Sequence, residues 1–200
     1  MAQEKTGEAV LGEITVTGTR EAVPKSETPA TVGTVDAEVI EQVRPAHPSE
    51  IIGRIPGVHV SVTGGEGHMT AIRQPISTSP LYLYLEDGIP TRSTGFFNHN
   101  ALYEVNIPQA AGIEVNKGPG TALYGSDAIG GIINVLTRPA PLEAEAEVNV
   151  EAGGHGWKRL LATAGNTWDE DGLRADLNIT HTDGWRDATD YDRQSGTLRW

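Results

Sequence analysis

The chain has 200 residues, a one-domain length, and its 24 Gly and 12 Pro make it rich in turns without reaching low-complexity composition. Its 15 Lys+Arg stand against 27 Asp+Glu, a formal net charge of -12, so nothing offers the basic footprint that grips phosphates and nucleic acid is not an expected partner. A Cys count of 0 excludes disulfide frameworks, thiolate catalysis and Cys-based metal centres, and no apolar run nears the roughly 18 residues of a membrane helix, so membrane residence has to be by β-strands.

The opening MAQEKTGEAV has neither the charged n-region nor the apolar h-region of a secretory signal. Either the chain is not exported, or its signal was removed and an initiator Met added. Residues 1–28 are polar apart from the short run EITVTG at 13–18, and most of this stretch is expected to be flexible. A strand follows over 31–35, then Asp36 as N-cap of a helix over 37–43 that Pro45 stops. A second short helix over 48–54 starts with Pro in its first turn and ends at Pro56 and Gly57. Val58, Val60 and Val62 alternate with polar residues, and Leu81, Leu83 and Leu85 alternate with tyrosines, which predicts two half-buried strands. Residues 118–131 are punctuated by Gly and form a compact loop, and IINVLT after them is a buried strand. These elements make an α+β unit, a small mixed sheet with short helices.

The run TRPAPLE interrupts the pattern near 138–142 and marks a boundary. Beyond it the period changes to two. Glu143, Glu145, Glu147, Asn149 and Glu151 face one way, and Ala144, Ala146, Val148, Val150 and Ala152 the other. Leu173, Ala175, Leu177 and Ile179 likewise oppose Arg174, Asp176, Asn178 and Thr180, with a segment over 157–168 between and a hairpin turn at DEDG, 169–172. Such antiparallel strands suit a two-layer soluble sheet or a wide barrel with lipid outside and water inside. All four Trp (157, 168, 185 and 200) lie in this tail, and Trp157 and Trp168 bracket one strand length as an interfacial girdle does, which favours the barrel.

Set side by side, RIPGVHV at 54–60, YLEDGIP at 84–90 and IEVNKGPGTALYGSDAIGGIINVLTR at 113–138 closely resemble, in order, the plug domain of TonB-dependent outer-membrane receptors. The resemblance divides the chain into a flexible segment at 1–28, a plug at 29–141 and the first strands of an incomplete antiparallel transmembrane β-barrel at 142–200. It implies an outer-membrane transporter for a scarce solute such as a ferric siderophore, working without catalysis and without a cofactor. Its partners would be the TonB periplasmic domain, a small-molecule ligand and the membrane.

In the same family, EITVTG resembles the Ton box, with Glu13, Ile14, Thr15, Val16 and Thr17 joining TonB as an added strand, a mode that a β-prone segment suits physically. The plug apex implies ligand contacts from Arg92, Phe96, Phe97, Asn98 and His99. Arg73 and Lys117 occupy the two basic positions that pair with carboxylates on the barrel wall in the family. The usual I-R-G reads Ile72-Arg73-Gln74 here, and the usual R-G-P reads Lys117-Gly118-Pro119, so the lysine side of this latch lacks the bidentate fork of arginine. The rival reading is a soluble periplasmic binding or interaction module with a plug-like fold. Six His (47, 59, 68, 99, 155 and 181) show no metal-binding spacing, and no hydrolase motif occurs.

Overall fold

A computed structural model describes residues 14–93 and 98–200. Strands β1 (Ile14–Thr15) and β2 (Val23–Pro24) pair as a small hairpin, followed by a single 3-10 turn at Lys25–Glu27. The predicted flexible stretch is therefore ordered over its described part, because buried side chains of the sheet below bind it. β3 (Val32–Asp36) leads into α1 (Ala37–Val43), whose N-cap is Asp36: its carboxylate accepts from the Val39 amide at 2.9 Å. α2 (Pro48–Ile52) is shorter than the sequence predicts. Gly53, Arg54 and Ile55 leave the α-helix through a tightening turn, with the amides of Arg54 and Ile55 donating three residues back.

The hairpin of β4 (Val58–Gly64) and β5 (Gly67–Ile72) stands apart from the main sheet. That sheet gathers β3, β6 (Tyr82–Glu86), β7 (Ile89–Pro90), β8 (Ala110–Asn116) and β9 (Gly131–Thr137) in the order β3-β8-β9-β6-β7, antiparallel except for the β6·β9 pair. β6 is buried on both faces rather than one: Tyr82 and Tyr84 enter the large core with Ile40, Ile51, Ile113 and Ile133, while Leu83 and Leu85 pack with Ala128 and Ile132 on the other side. The second cover comes from the Gly-rich loop, which carries the one-turn helix α3 (Thr121–Tyr124). Its glycines allow the close approach, since a Cβ on Gly131 would stand 2.8 Å from the Asn116 carbonyl oxygen.

β10 (Glu145–Ala152), β11 (Lys158–Trp168), β12 (Asp171–Thr182) and β13 (Tyr191–Arg199) form a four-stranded antiparallel meander. Register places Val148, Ala162, Leu177 and Gly196 in one row and Val150, Leu160, Ile179 and Gln194 in the next. This apolar side is open, with Val150 72% exposed, whereas Asn178 on the polar side is 1% exposed. A soluble sheet does the reverse, burying its apolar face in a core and wetting the polar one. The inversion is that of a membrane β-wall wrapped around a polar interior. β11 and β12 join through a tight turn at 169–170, and the longer connections 153–157 and 183–190 lie at the opposite end.

One sequence expectation needs correction here. Trp168 faces outward, on the face of Ala162 and Ala164, but Trp157 does not complete a girdle with it. Its ring lies 5.1 Å from the guanidinium of buried Arg159 on the inner side, because the chain turns inward before β11 begins.

The inversion gives a direct test. Leu177→Arg places a charge in the middle of the apolar band, and it is expected to destabilise the wall in a bilayer by about 2–4 kcal/mol. Denaturant titration of the protein folded into lipid vesicles measures this, and Glu147→Gln on the inner face serves as the control that changes little.

Candidate functional site

Across the main sheet, Thr34, Glu114 and Asn134 stand in register on neighbouring strands. Ile113, Val115, Ile133 and Val135 point into the large core, so Glu114 and Asn134 point to the opposite face. The N-terminal segment lies on this polar row. Thr15 Oγ1 donates to the Glu114 carboxylate at 2.9 Å, the Val16 amide at 3.1 Å and the Thr17 amide at 2.7 Å. Asn134 Nδ2 donates to Thr17 Oγ1 at 3.1 Å, and Arg20 reaches the Leu123 carbonyl at 3.2 Å while its guanidinium sits over the Tyr124 ring. Thr15 and Thr17 are fully buried, Ile14 is exposed, and Glu13 lies outside the described residues. Glu114 and Asn134 hold the N-terminal segment in place, and the sequence reading did not single them out. A carboxylate inside a strand otherwise reading as core is the signal that marks one of them, since a buried charge requires donors.

Arg73 and Lys117 come together. Arg73 Nη1 donates to the Lys117 carbonyl at 3.3 Å, and Lys117 Nζ donates to the Pro56 carbonyl at 3.2 Å. Arg73 adopts a left-handed backbone, φ 54°, with its amide bonded to Gly57. Partial burial and the neighbouring Arg73 and Lys25 cations hold the Lys117 ammonium below the usual lysine range. Neither side chain forms an ion pair among the described residues.

The proposed apex is only partly described. Phe96 and Phe97 lie outside the described residues, as does the side chain of Asn98. Asn98 and His99 open a 3-10 stretch, Asn98–Glu104, and Arg92 is tied to it through Glu104 at 2.7 Å, Asn100 at 2.9 Å and the Tyr103 hydroxyl. Beneath it His68, 1% exposed, bonds the Glu66 carbonyl through Nδ1 at 2.8 Å and accepts the Leu102 amide at Nε2, 3.2 Å. These partners fix one tautomer, with the proton on Nδ1. Burial, then the nearby His47, His99 and Arg92, lower its pKa to about 4.

The wall meets the plug-like unit through cations that the sequence reading did not single out. Arg193 pairs with Glu66 at 2.6 Å and bonds the Val105 carbonyl at 2.7 Å; Arg159 reaches the Pro45 carbonyl at 2.6 Å and Arg186 the Thr63 carbonyl at 2.6 Å. Gln109 and Asn178 close further bonds across the same boundary. At the long-loop end, an open cavity of about 430 Å³ lies between the two parts, lined among others by His47, His155, Trp157, Trp185 and Tyr191. Arg92 and His99 do not line it. Among the described residues no cluster of His, Asp and Glu is arranged to hold a metal ion.

With this geometry in hand, comparison with known proteins is direct. The family model of the TonB-dependent receptor plug domain matches residues 24–132. Vitamin B12 transporter BtuB of Vibrio vulnificus is 34% identical over 143 residues, 70% of this chain and 23% of the relative. The BtuB of Photobacterium profundum is 31% identical over 157 residues, 78% of this chain and 26% of the relative. The chain thus spans about a quarter of the length of these relatives. The pyoverdine outer membrane receptor FpvA of Pseudomonas aeruginosa PAO1, bound to pyoverdine, superposes with a TM-score of 0.73 at 20% identity, covering 92% of this chain and 26% of that one.

His68 gives this region a pH dependence of known sign. Above pH 6.5 the ring is neutral folded or unfolded; as pH falls toward about 4, the unfolded chain takes a proton that the folded ring refuses. Stability contributed by the neutral ring is lost across that window, by about 3 kcal/mol. Denaturant unfolding of the plug at pH 7, 5.5 and 4.5 is expected to show the loss, and His68→Gln to flatten that part of the profile.

Proposed function

The chain belongs to the TonB-dependent receptors, and on that premise we propose that it is the plug and first wall strands of an energised outer-membrane transporter for a scarce solute such as a ferric siderophore. It lies in the cell outer membrane, and its relatives are transporters and receptors. The observation that carries the transport reading is the inverted wall, whose apolar face is open while its polar face closes on the plug. A soluble periplasmic module has no use for that arrangement.

In this reading the domains run 1–28, 29–141 and 142–200, with residues 13–17 as the Ton box. Cargo meets the plug at the apex through Arg92, Phe96, Phe97, Asn98 and His99, and the aromatic cavity at the long-loop end is a separate candidate surface for it. Arg92 has its donors committed to Glu104 and Asn100, so its part is to hold the loop as much as to touch cargo. Arg73 and Lys117 form the basic latch toward acidic positions of the barrel wall. Cargo binding favours a plug state in which the Ton box is released, and TonB then transmits inner-membrane energy to the plug. Such coupling requires cargo to bind the two plug states unequally.

Vitamin B12 is transported by the sequence relatives and pyoverdine is bound by a fold relative, so growth limited for cobalamin or for iron supplies the cargo screen. Ile14→Pro and Val16→Pro, introduced into the full receptor, are expected to abolish energy-dependent uptake and leave cargo binding at the cell surface intact, because proline removes a ladder donor. Uptake at the wild-type rate by both variants removes the Ton box assignment.

A further inference from the structure

We propose that Glu114 is a clasp that withholds the N-terminal segment from TonB, an inference that rests on reading residues 13–17 as the Ton box. Strand addition needs free main-chain donors and acceptors along one edge of the added segment. Here the segment is already engaged. Ile14 and Thr15 pair with Pro24 and Val23. Just beyond that pair, where the segment turns, the amides of Val16 and Thr17 end on the Glu114 carboxylate at 3.1 Å and 2.7 Å. Successive amides of an extended strand face opposite edges, so whichever edge a TonB strand joins, one of these two donors has to face it, and Glu114 holds both.

The clasp is stronger than its bond count implies. Glu114 is 4% exposed, and among the described residues it has no cationic partner, so the segment itself supplies the donors that answer its charge. Bonds to an ionised acceptor are about twice as strong as neutral ones. Lifting the segment away breaks three bonds to the carboxylate at once, and water or a shift of β8 has to replace them. Asn134 adds a second hold through Thr17 Oγ1 at 3.1 Å, a bond that does not fix any main-chain donor. The division of labour is therefore definite. Glu114 blocks the strand edge, and Asn134 fixes the segment's position along the sheet.

The test uses the full receptor in detergent or vesicles, without cargo, and the purified TonB periplasmic domain. Hydrogen exchange at the Val16 and Thr17 amides and the affinity for the TonB domain are measured together. Glu114→Gln is expected to accelerate exchange at those two amides by about tenfold or more and to tighten TonB binding by a similar factor. Thr15→Val, which removes only the hydroxyl bond, gives a smaller change in the same direction and serves where Glu114→Gln folds poorly. Unchanged exchange in both variants, in a receptor whose TonB binding is lost in Ile14→Pro, overturns the clasp and leaves the Ton box reading standing. Accelerated exchange with TonB affinity unaltered in these variants and in Ile14→Pro overturns the Ton box reading and, with it, the gating role of Glu114.

Discussion

A β-wall that shows lipid its apolar face has to turn its polar face inward, and the arrangement of this molecule depends on satisfying that face. In the described strands the inner side carries Arg159, Arg174, Asp176, Asn178 and Thr180, all buried. Some answer one another, as Arg174 does with Asp176 at 3.1 Å. Others need the plug, and the plug meets them largely with main-chain carbonyls: Pro45, Thr63, Val105 and Thr137 each accept from a wall arginine. A carbonyl at a turn or element end costs the plug no side chain and leaves its own core apolar.

This boundary differs in kind from the core it surrounds. Inside the plug, isoleucines from helices and sheet pack into one cluster, whose disruption by truncation to Ala costs about 2–5 kcal/mol per site. Between plug and wall the contacts are hydrogen bonds with a net value of about 0.5–1.5 kcal/mol each, rising to about 1.5–3 where one group is charged. Polar contacts of that size can be exchanged for water as the plug moves, whereas an apolar joint of equal area would lose its contacts outright. A wall held by arginine and carbonyl is compatible with a plug that is displaced in each cycle, and a plug with a packed core can move as a body.

Much of this was legible in the sequence, and what was not has a common cause. Asp36 and Pro45 bound α1 because capping and helix termination are local. The tail's alternation gave both the wall and its two faces, since pleat parity needs no tertiary information. The three Gly-containing motifs fixed the family. The errors lie where a distant element overrides the local signal. β6 alternates Leu with Tyr and reads as half-wet, yet tyrosine can be buried and the Gly-rich loop, far along the chain, covers its second face. Residues 14–28 read as a flexible tail because their anchor, Glu114, is 97 to 99 residues away. Trp157 has strand spacing from Trp168, but the turn before β11 carries its ring inward to Arg159.

The wall arginines and Glu114 share a further property that no spacing rule reports. Each is a charged residue at a position whose neighbours declare it buried: Arg159 and Arg193 on the covered face of the wall, Glu114 between Ile113 and Val115. Burying an ion without partners costs far more than any single fold contact returns, so each such position commits the fold to a specific donor or acceptor elsewhere. For the arginines the commitment is to the plug surface, and it fixes how the plug sits in the wall. For Glu114 the commitment is to the N-terminal segment, which on the Ton box proposal has to leave. A partner that is both required and removable makes the site two-state: the segment stays while Glu114 needs it, and goes when the sheet beneath offers the carboxylate something else. On that proposal a signal would cross the plug as a switch between two states, since a continuous deformation of a close-packed core would transmit little.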